Sequence, residues 1–155
     1  MQEAVMSIRI RTVEAEDIPE LAEVMQTYIV DHYDHPDPGI GKLKTLIKKL
    51  LAQPETGIQF IVEYYGDLIG FATLYQTFST LKVKKTAILN DLYITPEFQG
   101  HHYGKELLEF VLSYVQSEDF AGMVLETDRM NHKARRLYES LGGAKSAWTH
   151  YEWEF

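Results

Sequence analysis

Apolar and polar residues along this chain alternate first with the period of a strand and then with that of a helix. Residues 7–13, SIRIRTV, set apolar side chains against basic ones and predict a first strand. Asp17 and Glu20 then form a D-x-x-E capping pattern with Pro19 in the first turn. Ile18, Leu21, Ala22, Met25 and Ile29 follow three and four apart, the stripe of a core-facing helix. YDHPDPG stops that helix, because two prolines and a glycine cannot continue it. Ile40, Leu43, Ile47 and Leu50 predict a second helix that ends near Pro54.

From Ile58 the period changes to that of strands. IQFIVEYY, turned by Gly66-Asp67 into LIGFATLYQTF, predicts a hairpin, and TAILNDLYI predicts a third strand that Pro96 stops. A helix from about Gly104 buries Leu107, Leu108, Val111, Leu112 and Val115. AGMVLET is a short strand, and Ala134, Leu137, Tyr138 and Leu141 share one more helix face. AWTHYEWEF closes the chain as a strand, with Trp148, Tyr151, Trp153 and Phe155 finishing the core. The order β-α-α-β-β-β-α-β-α-β, with a βαβ crossover through residues 86–127, implies a mixed α/β fold. Its central sheet is mostly antiparallel and flanked by helices.

The 155 residues amount to one domain, 1–155, with 1–6 expected as a flexible N-terminus. No apolar run approaches the roughly 20 residues that cross a bilayer, and MQEAVMSIRIRTV lacks the basic start and apolar block of a signal peptide. There is no cysteine, which excludes disulfides, thiolate metal sites and cysteine nucleophiles and fits a cytoplasmic location. The net charge of −8 disfavours nucleic acid as a partner and favours cationic ligands, although it also serves plain solubility. Lys42, Lys44, Lys48 and Lys49, and again Lys82, Lys84 and Lys85, form local basic patches.

The stretch TPEFQGHHYGKELLEF carries the first candidate chemistry. A strand feeds a loop with Gly100 and Gly104 into a helix, whose first N–H groups and dipole suit a phosphate or pyrophosphate. Lys105 adds a cation beside it. By spacing alone, a turn that happens to contain glycine is the plainer reading. A second motif changes that. Gln99-x-x-His102-x-Gly104 resembles the acetyl-CoA loop Q/R-x-x-G-x-G/A of the Gcn5-related N-acetyltransferases, with His102 where the family has its first glycine. Asn131 through Tyr138, NHKARRLY, resembles the N-x-x-A-x-x-L-Y signature of the same family. Together with the element order, the resemblance covers nearly the whole chain and implies the acyl-CoA N-acyltransferase fold. It departs again at Gly142-Gly143, where the family usually shows Gly-Phe.

The resemblance implies acetyl-CoA as cosubstrate and no metal. It assigns the pyrophosphate to the loop Gln99, Gly100, His101, His102, Tyr103, Gly104 and Lys105, and the pantetheine arm to the backbone of Leu92, Tyr93 and Ile94, on a strand that splays from its neighbour. Asn131 would cap its helix and hydrogen-bond the cosubstrate, and Tyr138 would protonate the coenzyme A thiolate. A phenol with a pKa near 10 suits that task, although on periodicity alone Tyr138 is a core-facing residue. His102 still offers an N–H to the loop, and histidine tolerates positive φ better than a β-branched residue does.

The residues themselves support an irregular strand. In ILNDLYI, Leu92 and Ile94 share one phase of alternation and Leu89 the other, as a bulge near Asn90-Asp91 would produce. Asp91 and Glu126, near the ends of the two strands flanking the cleft, are the candidates for general base. His32, Asp34 and His35, between the first two helices, are expected to border the acceptor pocket. The two histidines have no third partner at metal-ligand spacing.

The leading expectation is acetyl transfer to the primary amine of a small molecule, such as a polyamine or amino acid, by direct attack in a ternary complex. A protein N-terminal or lysine acetyltransferase is the alternative, favoured by an open groove. A regulatory acyl-CoA-binding module with little turnover is another, motivated by His102 and opposed by the retained Asn131 and Tyr138. The aromatic end WTHYEWEF offers a homodimer edge as an alternative to packing within the chain.

Overall fold

The computed structural model describes residues 8–155, so the expected flexible stretch 1–6 lies outside the described residues. Two compact units divide the chain, one running through Leu125 and the other Glu126–Phe155. The first holds strands β1 (Ile8–Thr12), β2 (Gly57–Tyr64), β3 (Asp67–Ser79), β4 (Lys84–Ile94) and β5 (Met123–Leu125). It also holds helices α1 (Ile18–Thr27), α2 (Ile40–Ala52) and α3 (Tyr103–Ser117). The second unit contains helix α4 (His132–Ser140). Among the described residues no helix is long and apolar enough to cross a membrane.

The sheet runs β1-β2-β3-β4-β5. The first four strands form an antiparallel meander, and β5 lies parallel to β4 after the crossover through α3. The turn of the first hairpin is Tyr65-Gly66, with φ of 47° and 89°, one residue earlier than the sequence pattern suggests. Asp67 is instead the first residue of β3, paired with Tyr64. Both central residues are left-handed, as a two-residue turn matching the strand twist requires.

Each sheet face buries its own helices. Ile61, Phe71 and Tyr93 pack with Leu21, Ala22 and Met25 of α1 and Leu43 and Ile47 of α2. On the other face Phe60 meets Phe110 and Tyr114 of α3, with ring centroids 5.2 Å apart in both pairs. Full burial of each such side chain contributes about 1.5–3 kcal/mol, so both faces are held by transfer energy rather than by one core.

Three expectations need correction. Asp17 does not cap α1, because its carboxylate accepts two N–H bonds from Arg11 at 2.8 Å and one from the Glu14 amide at 2.7 Å. Arg11 also reaches Glu63 at 3.0 Å, so Asp17 ties the first helix to β1 and β2. The first helix does not keep its α period either. It widens into a π-helical turn at Tyr28–His32, where Tyr28 is buried in the core and Ile29 only partly so.

The third correction concerns the closing strand. Residues 144–155 form none, so the order ends β-α among the described residues. Their alternation makes a strand-like pattern, but a strand also needs a ladder of backbone hydrogen bonds, and none is formed there. Trp148, Tyr151, Trp153 and Phe155 accordingly stay exposed rather than finishing the core.

Candidate active site

The loop between β4 and α3 owes its shape to two left-handed residues. Gly100 has φ 85°, and His102, at the N-cap position of α3, has φ 65° and ψ 14°. Histidine thus occupies the backbone conformation that glycine takes most easily, at some conformational cost. The loop begins where the Gln99 side-chain amide donates to the Ile94 carbonyl at 2.8 Å. His101 stacks on Tyr103, centroids 5.6 Å apart. No side chain caps α3. Its leading N–H groups, including those of Gly104 and Lys105, therefore lie at the positive end of a 15-residue helix. A Cβ added at Gly104 would meet Ile94 at only 3.9 Å, so the glycine there is not forced by packing.

Beside this loop the sheet opens. β4 pairs with β5 only through Ala87–Met123, Ile88–Val124 and Leu89–Leu125. Beyond Leu89 the backbone edge of β4 that includes Leu92, Tyr93 and Ile94 has no strand partner on that side among the described residues. The expected bulge sits at this point: Leu74 pairs with Leu89 and Thr73 with Asp91, which leaves Asn90 as the extra residue. The bulge switches the phase of the strand. Leu89 stays on the α3 face with Leu74, while Asp91 and Tyr93 turn to the α1 face with Thr73 and Phe71.

On the α1 face Tyr28 is the hub of a ring cluster. Its ring lies 5.1 Å from Tyr93, 5.3 Å from Phe71, 5.0 Å from Tyr33 and 5.7 Å from His32, the last in parallel stacking. Asp91 lies against this cluster. Burial pushes its carboxyl above the usual carboxylate range, opposed by hydrogen bonds from Thr73, Asn90 and Tyr28. Burial and the Asp91 charge push the Tyr28 phenol far upward, so it remains a donor. A buried carboxyl that is reluctant to ionise, beside polar neighbours that favour its charged form, is a candidate base.

His32 joins the ring cluster, while Asp34 and His35 remain on the exposed connection to α2. Asp34 is left-handed at φ 51°, and the His35 ring nitrogen lies 3.0 Å from the Pro36 carbonyl oxygen. Among the described residues no three His, Asp or Glu side chains gather as a metal site would require. Sequence reasoning missed Tyr28, Thr73 and Gln59. Tyr28 lies three residues after Met25, yet regular helix periodicity gave the core position to Ile29. Thr73 and Gln59 looked like ordinary strand residues, because cross-strand neighbours are invisible until register is known.

In the second unit, the Asn131 side chain accepts the Ala134 N–H at 3.1 Å and caps α4 as expected. Tyr138 lies on the less exposed face of that helix with Ala134 and Leu137. After the helix Gly142 is left-handed, and the Gly143 N–H closes on the Tyr138 carbonyl at 2.9 Å. A Cβ at residue 143 would lie 2.9 Å from that carbonyl oxygen, which accounts for glycine where the resemblance has phenylalanine. Glu126 is exposed, 3.6 Å from His150.

Comparison with known proteins agrees with this geometry. The family model described as the acetyltransferase (GNAT) family matches residues 18–143. An uncharacterised N-acetyltransferase of Bacillus subtilis (strain 168), YhfO, is 31% identical over 135 residues, which span 87% of this chain and 89% of YhfO. The D-amino-acid N-acetyltransferase HPA3 of Saccharomyces cerevisiae is 34% identical over 76 residues, 49% of this chain and 47% of HPA3. Among solved structures, a probable acetyltransferase superposes with a TM-score of 0.86 at 24% identity, covering 95% of this chain and 97% of that one.

Proposed function

The chain belongs to the GNAT family of N-acetyltransferases, and on that premise we propose that it acetylates the primary amine of a small cationic molecule, a polyamine, an amino acid or a similar compound. The observation that carries this reading is Asp91, a partly buried carboxylate set among the rings of Tyr28, Phe71 and Tyr93. Aromatic faces and one carboxylate attract an ammonium group and can then relieve it of a proton. The similarity to a D-amino-acid N-acetyltransferase supports amino acids as one class to test.

Acetyl-CoA, when bound, supplies the acetyl group as a thioester. The residues present fit it: the left-handed turn at Gly100 and His102, the uncapped start of α3 and the edge of Leu92–Ile94, which no strand covers among the described residues, suit a diphosphate followed by an extended amide arm. Asp91 would accept the proton that the acceptor amine loses, and Tyr138, by its place in the N-x-x-A-x-x-L-Y motif, would supply a proton to the departing thiolate. Glu126, more exposed than Asp91, is the less suited base. The exposed aromatic positions of 148–155 support a homodimer edge as a further reading, open to sedimentation velocity.

The test is thiol release from acetyl-CoA across a panel of polyamines and D- and L-amino acids. Turnover should appear with small amines, and Asp91→Asn should lower kcat/KM by about 100-fold or more. Tyr138→Phe should lower kcat with little change in acetyl-CoA affinity. Turnover with peptide amines alone would replace this reading by a protein acetyltransferase.

A further inference from the structure

Behind Asp91 runs a polar file that packing does not require. Gln59 of β2 pairs across the ladder with Thr73 of β3, and Thr73 pairs with Asp91 of β4. The three are thus neighbours on the sheet face covered by α1. Gln59 is 3% exposed and Thr73 0%, and apart from the phenols of Tyr28 and Tyr93 they are the only buried polar side chains among the described residues. The positions around them, Phe60, Ile61, Phe71, Ala72 and Leu74, are apolar and buried.

The hydrogen bonds in this file have a direction. Gln59 Nε2 donates to Thr73 Oγ1 at 3.0 Å and lies 3.7 Å from Met25 Sδ. Gln59 Oε1 has no hydrogen-bond partner among the described residues. A hydroxyl has one proton to give. With the amide already donating to its oxygen, the Thr73 hydroxyl keeps its proton for another acceptor, and Asp91 is the residue paired with Thr73 across the ladder. Were the amide reversed, Oε1 would compete for the same proton.

We propose that Gln59 and Thr73 are positioning residues for the reaction, a two-step relay that holds the Asp91 carboxylate ionised and fixed in one orientation. The inference rests on Asp91 serving as the base. Asp91 is faced by Thr73 and Tyr75 from β3, by Tyr28 from the π-helical turn and by Asn90 from its own strand. His32 stacks on Tyr28, and Tyr33 meets it edge to face. Burial pushes the Tyr28 and Tyr75 phenols upward, so both stay neutral while Asp91 titrates. The relay works against burial at Asp91, because donation by Thr73 favours the charged form.

The experiment is a carboxyl 13C NMR titration of the free protein, with the Asp91 resonance assigned by its loss in Asp91→Asn. Thr73→Val keeps the side-chain shape and removes the hydroxyl. It should raise the Asp91 midpoint by half a pH unit or more, an about threefold smaller ionised-to-neutral ratio at a given pH. The acid limb of kcat/KM against pH, measured with the panel amine of highest turnover, should move with it. Thr73→Ser should restore both. Gln59→Met should shift the midpoint the same way by less, and answers the question if Thr73→Val does not fold. An unchanged midpoint in a folded Thr73→Val or Gln59→Met protein would overturn the relay, even with Asp91→Asn inactive. Full turnover by Asp91→Asn would remove the base that the relay serves and overturn both readings.

Discussion

His102 shows how much one backbone angle can carry. A left-handed φ of 65° costs an L residue about 1–2 kcal/mol relative to a right-handed one, and a β-branched side chain bears that cost worst. His102→Val should therefore lose about 1 kcal/mol of stability and weaken acetyl-CoA binding, whereas His102→Gly should bind at least as tightly as the parent. Thermal unfolding paired with calorimetric titration separates the two effects.

Asp17 illustrates the opposite use of a side chain. Hydrogen bonds from Arg11 hold its carboxyl below the usual range, so its ionised form stabilises the fold. Because the folded value is lowered, that stabilisation is complete above the ordinary carboxylate pKa of about 3.9 and is lost as pH falls through the lower folded value. Asp17→Asn should cost about 1–3 kcal/mol at pH 7, and denaturant titrations should show the gap closing in strong acid. Asp91 has the reverse sign. Its raised value favours the folded state at low pH, and that contribution fades as pH rises through the folded pKa. Asn131 and the left-handed tolerance of histidine were legible in sequence because capping and φ preference are local. The true partner of Asp17 was not, since Arg11 lies six residues away on another element.

At the level of elements, the bulge in β4 does two things at once. It turns Asp91 and Tyr93 toward α1, and it sits where the ladder to β5 ends. Deleting Asn90 would leave Leu89 and Asp91 on their present faces, because their partners Leu74 and Thr73 are already adjacent. The fold should survive, with circular dichroism unchanged. The straightened strand should lose the local bend at the bulge and shift the free edge of Leu92–Ile94, so acetyl-CoA affinity should fall by about tenfold or more by calorimetry, the loss of one or two hydrogen-bonded contacts. An affinity equal to the parent's would mean that the free edge does not depend on the bulge. The phase change between Leu89 and Leu92 made the bulge legible in sequence. The π-helical turn left no such mark, since widening a helix by one residue changes its spacing less than ordinary variation does.

For the molecule as a whole, charge sets the long-range field. A chain of net charge −8 draws cations from solution, and salt screens that attraction. With a polyamine as acceptor, kcat/KM should fall severalfold between low salt and about 0.5 M, where the screening length is only a few ångströms, while kcat changes little. A flat salt response would confine the attraction to the groups lining the site. The closing strand expected from WTHYEWEF is the largest departure at this scale. Its alternation is genuine, but alternation reports only which side chains would share a face, never whether an edge is there to receive them.

The sequence by itself determined the element order through α4, the crossover and the family, because these depend on local periodicity, capping and motif spacing. Only the tertiary structure decided that Gln59, Thr73, Asp91 and Tyr28 are neighbours, since 32 positions separate Gln59 from Asp91 in the chain, strand register brings the first three together, and helix packing on the sheet adds Tyr28. It also decided that Asp91 is the carboxylate among the rings and Glu126 the exposed one, because burial belongs to the packed sheet and not to either residue.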